Sequence, residues 1–168
     1  MKKDMSSLET KKEFAEMIKE SVHEVFVTYL STDIDFGPMV VKREDDDYRP
    51  PETEVTAIIN FSGGIHGGVH LASPLHLSLL LAGDFAGGEH YDTIFGEAGD
   101  GFGELANMIA GGVQTRLSDK FGVINLTPPT IISGTSYRMQ YKSNFASIKQ
   151  YFKSGEGPFY VEFFYWPG

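Results

Sequence analysis

Glutamate and asparagine three residues apart on a helix present a carboxylate and an amide side by side, and Glu104 and Asn107 have that spacing. A carboxylate offers charge pairing; an amide both donates and accepts hydrogen bonds. The surrounding stretch predicts a long helix from about Asp100 to Lys120, stopped at Phe121-Gly122. On a wheel of roughly 100° per residue, Phe102, Leu105, Ile109, Val113 and Leu117 form one apolar stripe. The opposite face holds Asp100, Glu104, Asn107, Gly111, Gln114 and Ser118. Gly111, one turn beyond Asn107, removes a side chain that would obstruct an approaching partner, so this face is small enough to enter another protein's pocket. A structural reading stands beside the chemical one. Asp100 can cap the helix, Glu104 can favour its positive end, and Asn107 can be a surface residue.

Other chemistries find less support. The chain has no cysteine, which excludes disulfides, thiolate metal sites and a thiol nucleophile. A formal net charge of -9 argues against nucleic acid, whose phosphates need clustered Lys and Arg. His66 and His70 fall on one side of a predicted strand but roughly 13 Å apart, too far to share a zinc ion, and a half-exposed strand accounts for them. His90 with Glu89 and Asp92 makes a weak oxygen-nitrogen set without HExxH spacing, so no metal site is expected. Gly99-Asp-Gly-Phe-Gly enters a helix as a phosphate loop does, but lacks the Lys-Ser/Thr ending, and Glu97, Asp100 and Glu104 would repel a phosphate. No GxSxG elbow is present. The sequon Asn125-Leu126-Thr127 is followed by Pro128 and reads as chance.

The 168 residues suit one domain spanning 1–168, and 41% hydrophobic content suffices for a core but not for a membrane span. The start Met1-Lys2-Lys3-Asp4, followed by polar residues, predicts a cytoplasmic protein. Ser6 or Ser7 caps a first amphipathic helix carrying Phe14, Met17, Ile18, Val22, Val25, Phe26 and Leu30. Residues 33–53 read as a loop, with Gly37-Pro38, a possible short strand at Met39–Val41, a solvated acidic turn at Glu44–Asp47, and Pro50-Pro51. A hairpin follows: Glu54–Ser62, a Gly63-Gly64 turn, and Ile65–Leu71, where Gly67-Gly68 signals a bulge or a close backbone approach. Ser73-Pro74 starts an apolar helix through Leu81, with the serine as cap, and Gly83 to Gly99 is loop-rich. After the long helix, Thr130–Ser133, Tyr137–Tyr141, Ser147–Phe152 and Phe159–Trp166 read as strands. The last is aromatic on both faces, so it is either central in the sheet or part of an interface. The predicted class is α+β, a mostly antiparallel sheet packed with long helices.

The run Asp100-Gly-Phe-Gly-Glu104-Leu-Ala-Asn107-Met-Ile-Ala-Gly111, followed by Leu126-Thr-Pro128-Pro129-Thr-Ile-Ile-Ser-Gly134, resembles the signature of the CheC/CheX/FliY chemotaxis phosphatases, the CheX type above all. The hairpin glycines after Phe61 are similar to that family's too. The likeness is specific from about residue 55 to 135, and no second Glu-Asn pair stands in the other helices, which favours a single-site member. The resemblance implies a CheC/CheX-like fold and hydrolysis of the aspartyl phosphate of a CheY-like response regulator. Asn107 would orient the attacking water and Glu104 would pair with the receiver's lysine. Asp100, Gly111 and Gln114 would contact the partner. The chain would need no cofactor of its own, Mg2+ coming with the receiver. A homodimer is implied as well, with the aromatic last strand in support. The alternative is a docking module that binds a receiver or another chemotaxis protein without hydrolysis. Gly101 and Gly103 weaken the first turn, leaving open where the helix begins.

Overall fold

The computed structural model describes residues 4–47, 53–134 and 144–166. In chain order come α1 (Leu8–Val25), continued by a π-helical turn (Phe26–Leu30), β1 (Ile34–Lys42), β2 (Val55–Gly63), β3 (Gly67–Ser73), α2 (Leu75–Phe85), α3 (Glu97–Phe121), β4 (Ile124–Leu126), β5 (Thr130–Ser133), β6 (Ala146–Ser154) and β7 (Gly157–Tyr165). The described strands pair antiparallel in the order β1-β6-β7-β3-β2-β4, with β5 also on β2. The fold is thus α+β, an antiparallel sheet with three helices.

Ser7, not Ser6, caps α1, its side chain accepting the Thr10 N–H at 3.1 Å. α1 then buries Phe14, Ile18, Val22 and Val25 at helical spacing. The apolar run continues into Phe26 and Leu30, and Ser31 stops the helix in the left-handed region at φ 49°. At α2 the expected cap differs: Pro74 takes the capping position, and the first helical N–H, that of Leu75, is met by the Glu54 carboxylate at 3.2 Å.

β7 lies between β6 and β3, which explains a strand with almost no polar residue. On its helix-facing side Phe163 meets Phe14 of α1 edge-on at 5.1 Å, and Phe159 stacks on Phe26 at 5.0 Å. Being central in the sheet accounts for its aromatics, so they no longer bear on a dimer. β3 is buried throughout, not half-exposed; His66 precedes it and is exposed, while His70 is fully enclosed. Gly67 and Gly68 hold regular register with β2 and β7, so they mark close approach and not a bulge. A Cβ on Gly67 would overlap the Phe164 carbonyl oxygen.

Three other readings are corrected. Residues 34–42 form a nine-residue strand, not a loop. Gly37-Pro38 interrupts its register with β6 between Phe36 and Met39, at an outer strand where a missing proline N–H breaks no ladder bond. α3 begins at Glu97, three residues before Asp100. The short β4 was not anticipated; Asn125 and Leu126 pair with Ser62 and Phe61 of β2. The expected strand at Tyr137–Tyr141 lies outside the described residues.

On the sheet's other face, His70 stands directly across from Glu162, with Nδ1 and Oε1 3.6 Å apart, slightly long for a hydrogen bond. Ser147 donates to the second Glu162 oxygen at 2.8 Å. Burial pushes the Glu162 carboxyl up, but His70, Lys149 and Ser147 more than offset it, leaving it below the ordinary glutamate value. A carboxylate held low in the folded state binds fewer protons there than when unfolded. Its contribution is therefore complete above the ordinary carboxylate range and is lost as pH falls through that range. Glu162→Gln should cost about 1–3 kcal/mol at pH 7, with the difference from the native chain shrinking on acidification, as denaturant titrations at several pH values would show. Gly67→Ala should destabilise by about 1–3 kcal/mol or more, read from the urea midpoint at neutral pH, because the backbone it meets cannot step aside.

Candidate functional site

α3 is positioned by what its glycines leave out. Gly99 lies against the Ile94 carbonyl, which a Cβ there would overlap. A Cβ on Gly101 would sit 3.5 Å from Ala82 of α2, and one on Gly103 would sit 3.2 Å from Pro129. These glycines do not fray the first turns; they let the helix press on three neighbours at once, and tertiary contact outweighs their weak helix propensity. Further along, Ser21 of α1 packs on Gly112, and Arg116 bonds Glu20 at 3.0 Å and Glu24 at 3.2 Å. Lys120 reaches Glu13 at 2.7 Å. Both ends of the helix are thereby fixed.

Gly96 caps α3 at φ 80° without a side-chain bond, so Asp100 is not the cap. Asp100 lies within the first turn, where it and Glu97 complement the positive helix end. Along the outer face Asp100 and Glu104 are exposed, Asn107 is half-buried, and Gly111 opens on empty space. Among the described residues neither the Glu104 nor the Asn107 side chain makes a hydrogen bond or ion pair. Gln114 differs: its amide donates to the Ile124 carbonyl, fastening α3 to β4. Ser118 bonds back to the Gln114 carbonyl within the helix at 2.7 Å.

Pro129, exposed, is seated on Gly103, the residue before Glu104, so the downstream proline of the motif packs against the helix in space. Glu97 belongs to the same face and was missed as a site residue because the helix was expected to start later. Its spacing of three from Asp100 and seven from Glu104 was the available signal. Tyr91 is drawn to this end too: burial, then the charges of Glu97 and Glu89, push its hydroxyl above the ordinary tyrosine value. His90 pairs with Asp92 at 3.0 Å on the exposed loop, away from His66 and His70.

Cavities among the described residues lie between the start of α1 and the β1–β6 edge, along β1, and between α1 and the C-terminal end of α3. Neither Glu104 nor Asn107 lines any of these cavities, so the pair stands on an outer helix face, which suits contact with a partner better than enclosure of a small molecule.

The family model for chemotaxis phosphatase CheX matches residues 55–153, spanning α3 and the strands that seat it. The CheY-P phosphatase CheX of Thermotoga maritima is 30% identical over 90 residues, which cover 54% of this chain and 57% of that one; the chain thus spans little more than half of that relative's length. Among solved structures, a CheC-like superfamily protein from Shewanella sp. PV-4 superposes with a TM-score of 0.74 at 26% identity, over 90% of this chain and 97% of that one. The CheX–CheY–BeF3–Mg2+ complex from Borrelia burgdorferi matches at a TM-score of 0.66 and 20% identity, over 90% of this chain and 96% of that chain, a likeness of fold. With a match over more than half of its residues, centred on the helix that carries Glu104 and Asn107, this chain belongs to the CheX family of chemotaxis phosphatases.

Proposed function

We propose that the chain hydrolyses the aspartyl phosphate of a CheY-like response regulator, with α3 entering the receiver's phosphorylation site. The observation that carries this reading is the pair of exposed Glu104 and half-buried Asn107, unpartnered among the described residues, on the outer helix face of a CheX-family chain. The Thermotoga relative is a CheY-P phosphatase, and the Borrelia homologue is seen with CheY. An acyl phosphate is already reactive, so the visiting protein need only place a water in line with the phosphorus–oxygen bond. Asn107 does this as a donor and acceptor in one group. Glu104 pairs with the receiver's lysine and sets the docking register; beside a phosphoryl group its charge is tolerable only with such a cation present. The receiver's Mg2+ supplies neutralisation of phosphoryl charge. Asp100 and Gly111 line the contact. Gln114 acts from beneath, holding α3 on β4. A homodimer in the cytoplasm belongs to this proposal and rests on the family alone.

The test is the lifetime of a phosphorylated CheY-like receiver with and without the chain. Native protein should shorten it, and Asn107→Ala should lose about a hundredfold or more of that effect while folding normally. Glu104→Ala should fall similarly. Binding without a shortened lifetime would instead establish the docking module. Gly111→Leu separates docking from stability. Its side chain enters open space and replaces a helical glycine that costs roughly 1 kcal/mol relative to alanine, so melting should stay level or rise. Dephosphorylation should nevertheless drop by about a hundredfold, since a lift of one ångström misplaces the water.

A further inference from the structure

Phe95 is 76% exposed, an unusual placement for a phenylalanine two residues before a buried-faced helix. Its backbone is nevertheless held. Ile94, immediately before it, is 3% exposed and its carbonyl lies against Gly99. The Phe95 N–H bonds the Thr93 hydroxyl at 3.3 Å, and Gly96 then turns the chain into α3. At its far end the same loop is pinned to α2, where Gly88 and Glu89 N–H groups share the Gly83 carbonyl at 2.9 and 3.1 Å. An aromatic ring on a backbone fixed at both ends loses little conformational freedom when a partner covers it. An aromatic is also the side chain that gains most from being covered.

Resting on the phosphatase reading above, we infer that Phe95 is the apolar anchor by which the receiver docks, at the start of the helix whose polar pair, roughly two to three turns further on, acts on the phosphate. The occupant is the receiver and not a second copy of this chain, because the ring adjoins an acidic face. Glu97, Asp100 and Glu104 follow it along one side of α3, and the charges of Glu97 and Glu89 both act on Tyr91. Two such faces repel each other, whereas a receiver's phosphorylation site brings a magnesium ion and a lysine to that end. Phe95 touches no reacting atom in this arrangement. It is a docking residue whose loss weakens ground state and transition state alike.

The experiment compares native chain, Phe95→Ala, Phe95→Leu and Asn107→Ala with a CheY-like receiver loaded with beryllofluoride and Mg2+ for binding, and with the phosphorylated receiver for turnover. Burying the ring is expected to account for roughly ten- to hundredfold in affinity. Phe95→Ala should therefore raise both Kd and KM by that factor with kcat and melting temperature unchanged, and Phe95→Leu should recover part of the loss. Asn107→Ala should show the converse, a fallen kcat with Kd near native. Native-like Kd in Phe95→Ala overturns the anchor and leaves the phosphatase reading standing. Receiver binding without hydrolysis overturns the phosphatase reading, while the Kd comparison still decides the anchor. A native chain that binds no receiver, or a self-association that Phe95→Ala abolishes, overturns the assignment of the receiver as occupant.

Discussion

The structure depends on how closely α3 is allowed to approach its neighbours. Three of its first residues, Gly99, Gly101 and Gly103, present no side chain toward the Ile94 carbonyl, Ala82 and Pro129 respectively. On the opposite side Phe102, Leu105, Ile109, Val113 and Leu117 are buried to 1% exposure or less against the sheet. A helix gripped in this way has one free face, and that face is where Glu104 and Asn107 stand. Larger residues at the glycine positions would move the helix away from Pro129 and α2 and shift the carboxylate and amide with it. Rigidity here comes from backbone packing and not from hydrogen bonds to the functional side chains.

That division explains the contrast between Gln114 and Asn107. Both are amides on nearly the same helix face. Gln114 is consumed by the Ile124 carbonyl, a bond that holds β4 and the turn after α3 in place. Asn107 has no such partner among the described residues, and its donor and acceptor stay open for what arrives. An open amide at a half-buried position forgoes a bond worth about 1 kcal/mol, a small sacrifice in a domain held by an extensive aromatic core.

Much of this could be read from the sequence, for identifiable reasons. The apolar stripes of α1 and α3 repeat at helical spacing over many residues, so both helices were legible, as was the hairpin around Gly63-Gly64. β1 was not. Its residues are mostly exposed, no alternation marks a buried side, and Gly37-Pro38 carries the composition of a turn. Only its pairing with β6 across the sheet makes it a strand, and pairing is invisible to a local pattern. The start of α3 was displaced for a related reason: glycines that locally signal a loop are required by tertiary contact. The pair Glu104/Asn107 was legible as a motif. Its lack of partners, which gives it meaning, was visible only in three dimensions, as was the role of Gln114.

The charge distribution follows from the same geometry. The chain carries a net -9, and Glu97, Asp100 and Glu104 concentrate part of it along the one free face of α3. Helix-end complementarity accounts for Glu97 and Asp100, since carboxylates in a first turn are favourable by up to about 1 kcal/mol. It does not account for Glu104, two turns in, with no cation beside it among the described residues. An exposed carboxylate with no cation beside it adds little to folding, and its charge, together with Glu97 and Asp100, would repel a free phosphate. Under the function proposed above, the carboxylate becomes favourable against a phosphorylated surface that carries its own cations. On the phosphatase reading proposed above, selectivity follows from these carboxylates: they disfavour a free phosphate on this face, and a phosphoryl group would be accepted there only when a partner presents it already neutralised.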